Sequence, residues 1–242
     1  MFKDLGNCLL SLLSPQDCHV CSRIVENIDD GVACAECWSM TRIFDERSAL
    51  CSKCGAHIDH KGSLNSFRCH KCDEHHYDRA FAIGIYEKAL AATVINLKTV
   101  PHLPRTAIRA LKTAFHRSDL AETELIIPVP LSRKRLIERG YNQAEVIGDA
   151  IGRFTGIEHD RFTLVRKSHT SIHRVAMDMK ARDITVRNAF DVKRPKLVQG
   201  RNILLVDDVF TSGSTSSHCA KILKKNGAGK VNVFSLARAS FN

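Results

Sequence analysis

The segment Arg201 to Lys225, RNILLVDDVFTSGSTSSHCAKILKK, restricts the fold more than any other. Ile203 to Val206 are four apolar residues without a polar break. A run that short and continuous suits a strand covered on both faces, as in a parallel sheet. Asp207 and Asp208 follow at once, and then Thr211, Ser212, Gly213, Ser214 and Thr215. Apolar groups then recur at helical spacing, at Ala220, Leu223 and the stem of Lys224, closed by Gly227. The order is strand, small-residue loop, helix. Open α/β sheets bind ligands beyond the carboxyl ends of their strands. Small residues let the backbone approach an anion, and the N–H groups of the next helix point at it. Such a loop suits a phosphate. Two carboxylates beside a phosphate need another partner, either sugar hydroxyls or a divalent cation with oxygen ligands. A sugar phosphate satisfies both halves. The plainer reading is a βα turn with capping Ser and Thr; paired acids with two residues between them and TSGST weigh against it.

VDDVFTSGST resembles the phosphoribosyl-diphosphate (PRPP) loop of type I phosphoribosyltransferases. The resemblance implies that Asp207 and Asp208 reach the ribose 2- and 3-hydroxyls. It implies that Thr211, Ser212, Gly213, Ser214 and Thr215 hold the 5-phosphate.

Nine of the ten cysteines lie before residue 73. Eight form four C-x-x-C knuckles, Cys18/Cys21, Cys34/Cys37, Cys51/Cys54 and Cys69/Cys72, whose first members are 16, 17 and 18 residues apart. Two knuckles supply the four thiolates of one tetrahedral zinc, so four knuckles supply two sites. The segment is short and polar, and a metal replaces the core it lacks. Disulfides need an oxidising compartment, and no export signal is visible. A redox C-x-x-C stands singly at a helix start, whereas these are serial. Spacing leaves the pairing open: consecutive knuckles share a metal, or alternate ones do in a cross-brace. His57, His60, His70, His75 and His76 are read as surface residues, since eight cysteines saturate both sites. The zinc is therefore structural. Cys8 and Cys219 are read as small buried apolar residues.

With 242 residues, the chain has room for a medium domain and a small one. We expect a boundary between 1–77, an N-terminal helix with a double zinc ribbon, and 78–242, a phosphoribosyltransferase-like domain. No apolar run reaches the length of a membrane span. Leu9 to Leu13 is too short and too acidic in its flank for a signal peptide, and predicts a short docking helix. The formal net charge is +10, with basic clusters at Arg133–Arg135, Lys193–Lys196 and Lys221–Lys225. That balance favours polyanions, a diphosphate or nucleic acid among them. No G-x-x-x-x-G-K-[ST] sequence is present, which disfavours ATP hydrolysis.

Ala80–Tyr86 predicts a strand, Lys88–Lys98 and Thr106–His116 two helices, and Leu125–Ile127 a short buried strand. Pro128 and Pro130 stiffen the exit from that strand. Arg133, Lys134, Arg135 and Arg139 then gather in a turn-rich loop ended by Gly140, and Asn142 caps a helix through Ala144, Ile147 and Ile151. Arginine forks bind phosphate oxygens in pairs. Arg139, and with it Arg133, therefore suits a diphosphate leaving group in the crevice of Asp207.

Pro128-Val129-Pro130 followed by Arg135, Arg139, Gly140, Tyr141, Asn142 and Gln143 is similar to the ComF/GntX family, and so is the knuckle segment. Members join N-terminal cysteine knuckles to a phosphoribosyltransferase-like domain. The resemblance implies an α/β fold with a type I phosphoribosyltransferase-like parallel-sheet core and a small N-terminal zinc ribbon. It also implies a cytoplasmic protein of natural competence that handles imported DNA. Strand Phe162–Val165 leads into a polar stretch read as a lid, matching the family at Thr170, Arg182, Ala189 and Phe190 and departing at His173 and Thr185. Val231–Leu236 closes the sheet.

The chemistry implied is displacement at the anomeric carbon of PRPP with Mg²⁺, although no general base or acceptor is legible. The rival is a non-catalytic factor that keeps the fold and binds single-stranded DNA or proteins of DNA uptake. Trp38 and Tyr141 are its candidate stacking aromatics.

Overall fold

The computed structural model describes residues 15–57, 68–167 and 189–239. The helix expected at Leu9–Leu13, Cys8, His60, and Thr170, His173, Arg182 and Thr185 of the expected lid lie outside the described residues.

In chain order the described strands are β1 (Ala80–Ile85), β2 (Leu125–Pro128), β3 (Glu158–His159), β4 (Leu164–Arg166), β5 (Phe190–Val192), β6 (Ile203–Phe210) and β7 (Val231–Arg238). The described helices are α1 (Ala35–Ser39), α2 (Lys88–Asn96), α3 (Arg105–Arg117), α4 (Arg133–Arg139), α5 (Gln143–Thr155), α6 (Pro195–Val198) and α7 (Ser214–Lys225). Five strands form a parallel sheet in the order β1-β7-β6-β2-β3. β4 and β5 pair antiparallel as a separate ribbon.

The continuous apolar run predicted for a doubly covered strand is β6. Leu205 pairs with Ile127 of β2 on one side and Val233 of β7 on the other. Its neighbours Leu204 and Val206 face a core built with Leu90, Leu111, Phe115, Ile147 and Ile151 of α2, α3 and α5. Ile203 and Leu205 face a second core with Cys219, Ala220 and Leu223 of α7 and Phe190 of β5. Each helix presents one apolar stripe to the sheet, as the 3.6-residue period requires.

Two sequence expectations need correction. The strand does not stop at Val206: β6 runs through Asp207 and Asp208 to Phe210, because β7 continues beside it, Asp207 opposite Ser235 and Phe210 opposite Arg238. The acids thus ride on the strand and not in the loop. Arg133–Arg139 is not a turn-rich loop but helix α4. Its Ser132 hydroxyl caps the Arg135 N–H at 3.4 Å, Lys134 and Glu138 pair across one turn, and Gly140 at φ +75° ends it. The cap expected at Asn142 is present, its side chain accepting from the Ala144 N–H at 3.1 Å.

The cysteines form two tetrads of consecutive knuckles, Cys18/Cys21/Cys34/Cys37 and Cys51/Cys54/Cys69/Cys72, and no histidine joins either among the described residues. This decides the pairing that spacing left open. Sulfur pairs Cys18–Cys37, Cys21–Cys34 and Cys51–Cys72 are 3.7 Å apart, and Cys54–Cys69 and Cys69–Cys72 are 3.5 Å. A disulfide needs about 2.05 Å. A tetrahedron of sulfurs around zinc, with Zn–S about 2.3 Å, has edges of about 3.8 Å. The amides of Cys34 and Cys69 each donate to a sulfur at 3.3 Å, as thiolates favour. The donor set fits two structural zinc ions.

The tetrads also supply wall to the body of the protein. Cys18, Cys34 and Cys37 belong to the core over α2 and α3, whereas Cys51, Cys54 and Cys72 belong to the core under α7. The expected outcome for purified protein is about two zinc atoms per chain, with serine at Cys37 or at Cys72 each removing one. Loss of either metal should cost on the order of several kcal/mol. Elemental analysis with thermal melting checks this; a single zinc in the wild type would contradict the two-site arrangement.

Candidate functional site

The carboxyl ends of β6 and β2 meet at one edge of the sheet, where Val129 donates to the Val206 carbonyl at 2.8 Å. Asp207 and Asp208 sit there, both half-buried. The Asp207 Oδ1 accepts from the Asp208 N–H at 2.9 Å, and the Asp208 Oδ1 accepts from the Val209 N–H at 2.7 Å. Burial, and then the adjacent Asp208 charge, hold the Asp207 carboxyl well above the usual carboxylate range. Two carboxylates so placed repel, and the pair gains from a cation or from donor hydroxyls.

The loop beyond is short. Thr211 and Ser212 are exposed, Gly213 is buried, and α7 begins at Ser214, so that exposed Ser214 and Thr215 occupy the first helical turn. Gly213 has φ +79°, a conformation that favours glycine. The Ser212 hydroxyl accepts from the Ser214 N–H at 3.4 Å. The hydroxyls are therefore grouped at an open helix N-terminus, where amide donors and the helix dipole favour an anion. Carboxylate and hydroxyl oxygens are the donor type that Mg²⁺ takes.

Arg133 lines a cavity of about 320 Å³ at the end of β2. Pro128 and Pro130 form part of its wall, with Asn142, Glu145 and Arg166. Burial raises the Glu145 carboxyl above its ordinary value. Arg139 stands apart from that wall, half-buried, with its Nη1 donating to Gln143 Oε1 at 2.7 Å. Asn142 is buried and donates to the Val129 carbonyl at 3.0 Å, tying α5 to the strand end.

Of the two candidate stacking aromatics, Trp38 is buried and Tyr141 is half-buried. Trp38 is 9% exposed and its indole N–H donates to the Asp30 carbonyl at 3.0 Å. The Tyr141 hydroxyl donates to the Leu97 carbonyl at 2.8 Å. Cys219 is buried, as expected, and burial with the Asp207 charge raises its thiol.

Sequence reasoning missed the residues under the loop. Tyr77 is buried edge-on to Phe210, with ring centroids 5.7 Å apart, and shares a 2.6 Å hydrogen bond with His75. Arg238 places its guanidinium 4.7 Å from the Phe210 ring centre. No spacing rule joins positions so distant in the chain; their one local signal is that His75 and Tyr77 follow the last knuckle directly.

Residues 9–74 match the family model described as a double zinc ribbon domain. The chain is 31% identical over 215 residues to competence protein F of Haemophilus influenzae, covering 85% of this chain and 90% of that protein. It is 29% identical over 211 residues to the DNA utilization protein YhgH of Salmonella typhi, covering 84% and 89%. A solved structure of glutamine PRPP amidotransferase from B. subtilis overlaps at TM-score 0.39 and 17% identity, over 55% of this chain and 28% of that one. A parallel α/β sheet carrying two cysteine tetrads, at 31% identity across nine-tenths of a competence protein F, places this chain in the competence protein F (ComF/GntX) family.

Proposed function

We propose that the chain binds PRPP, or another ribose phosphate, together with Mg²⁺, and acts in natural transformation on imported DNA. The names of the relatives, competence protein F and DNA utilization protein, support the cellular role. One observation carries the ligand: an exposed cluster of hydroxyls at the start of α7 follows a half-buried pair of carboxylates with two residues between. In this reading Thr211, Ser212, Gly213, Ser214 and Thr215 hold the 5-phosphate, and Asp207 and Asp208 hold the ribose hydroxyls. Arg133 faces the diphosphate from the cavity wall; Arg139 reaches it on leaving Gln143.

The transferase chemistry consistent with this arrangement is displacement at the anomeric carbon. The C1–O bond to diphosphate breaks, the acceptor's lone pair forms the new bond, and the diphosphate leaves with the electron pair. Bound Mg²⁺ would supply charge neutralisation of the leaving group. The carboxylates stabilise positive charge building on the ring. A cytoplasmic location and the division at residues 77 and 78 belong to the same proposal. Among the described residues, no helix is long and apolar enough to cross a membrane.

A second reading rests on α4. It has no buried residue and presents Lys134 and Arg135 beside exposed Leu136 and Ile137. That surface supports contact with the backbone of single-stranded DNA or with a protein of DNA uptake, without base stacking.

Zinc-loaded wild type should release or absorb heat on titration with PRPP and Mg²⁺; no heat removes the ligand reading. Asp207→Asn should abolish that heat and yet raise the melting temperature near neutral pH. The sign follows from the raised Asp207 carboxyl. Its ionised form is penalised on folding, and the penalty is absent below the unfolded value and full above the folded one. Relief should amount to roughly 2–4 °C for each kcal/mol removed. An unchanged or lower melting temperature contradicts the electrostatic account. For the second reading, filter binding of single-stranded DNA across a salt series should show Arg135→Ala weakening binding and lowering the salt slope by about 1. Equal slopes for wild type and variant exclude α4 as the contact.

A further inference from the structure

The last knuckle runs straight onto the loop at the start of α7. A methyl group at Gly213 would fall 2.6 Å from Phe210 Cζ, 2.9 Å from His75 Cε1 and 3.0 Å from His75 Nδ1. The His75 and Phe210 rings therefore seat directly on the loop backbone. His75 is itself fixed from several sides. It shares the hydrogen bond with Tyr77, and its carbonyl accepts from Lys53 Nζ at 2.7 Å. Lys53 lies between Cys51 and Cys54 of the tetrad, and its carbonyl accepts from the Ala80 N–H at 2.7 Å. The next residue, His76, donates its N–H to Ser217 Oγ of α7 at 3.0 Å. Phe210 is held under Arg238, which donates to the Cys54 carbonyl and sends Nη2 to within 3.5 Å of Cys54 Sγ. The two side chains that press on Gly213, His75 and Phe210, are thus both tied to the segment that carries the tetrad Cys51/Cys54/Cys69/Cys72. The other tetrad packs instead against the opposite core, under α2 and α3.

We propose that the second cysteine tetrad, when it holds its metal, sets the shape of the Thr211–Thr215 loop, with His75 as the positioning residue between them. The inference rests on the reading of that loop as a phosphate site. Its physical basis is contact without slack: a close-packed ring against a glycine backbone transmits a shift of its own support. A left-handed glycine has no side chain to anchor it; beyond the 2.8 Å bond from the Ser217 N–H to its carbonyl, the Gly213 backbone is held by the rings packed on it. The tetrad and the loop are then linked reciprocally, so a bound phosphoryl group also stabilises the metal site.

Two measurements decide it. Hydrogen exchange at the amides of residues 211–217 should rise in Cys51→Ser/Cys69→Ser and stay at the wild-type level in Cys18→Ser/Cys34→Ser. Equal rises in both, or none in the first, overturns the linkage. His75→Ala leaves both tetrads whole and covers the case in which a cysteine variant fails to fold. With two zinc atoms per chain and a folded far-ultraviolet circular dichroism spectrum, it should bind ribose 5-phosphate roughly fivefold to tenfold more weakly, and melt lower because the buried Tyr77 hydroxyl loses its partner. His75→Gln, whose amide still reaches the Tyr77 hydroxyl, should recover most of that loss. Binding by His75→Ala equal to wild type overturns the positioning role. A wild type that binds no ribose 5-phosphate instead removes the phosphate reading, while the exchange comparison still decides the coupling.

Discussion

The structure depends on the parallel pairing of β6 between β2 and β7. A strand in that position has neighbours on both edges and helices on both faces. Its side chains from Ile203 to Val206 have no access to water, and a polar atom among them would go unpaired. The sheet ladder continues past this apolar stretch to Phe210. Asp207 and Asp208 are thereby placed at a rigid strand end instead of in a mobile connection. Their mutual repulsion and partial burial are a standing cost, met by the stability of the pairing around them.

The cysteine tetrads extend the same principle to a segment with too little apolar surface of its own. A metal held by four thiolates replaces a small core. The sulfurs are more than metal ligands, however. Three from each tetrad are buried in one or the other of the two cores that cover the sheet. Metal binding and sheet packing consequently share surfaces, and the knuckles act as buttresses on both sides of the same sheet. On the α7 side the buttress reaches the hydroxyl-rich loop through His75, Phe210 and Arg238.

The candidate site was legible in the sequence where its chemistry is local. Asp207 and Asp208 stand just ahead of 211–215 with two residues between, and the side chains state their preferences directly, the carboxylates for cations or hydroxyl donors and the small hydroxyl residues for an anion. Arg133 and Arg139 lie close in sequence but diverge in space. The helix α4 turns Arg133 toward the cavity and leaves Arg139 on Gln143. Reading that segment as a loop underrated the Ser132 cap and the left-handed Gly140, two local signals that together delimit a helix. Trp38 looked available for stacking because sequence does not show burial; its ring is buried and its indole N–H satisfied by a backbone carbonyl, whereas Tyr141 is half-buried with only its hydroxyl engaged.

Periodicity and residue chemistry alone determined the parallel α/β core, the succession of its strands and helices, the eight thiolates and the acid–hydroxyl motif. These are properties of short windows, where a period of two or 3.6 residues, or a two-residue gap, carries the physics. Tertiary structure alone decided the strand order, the pairing of consecutive knuckles and the placing of His75 on Gly213 across 138 positions (213 − 75). The reason is that such contacts are set by the close packing of elements distant in the chain, and no local preference of either residue encodes its partner.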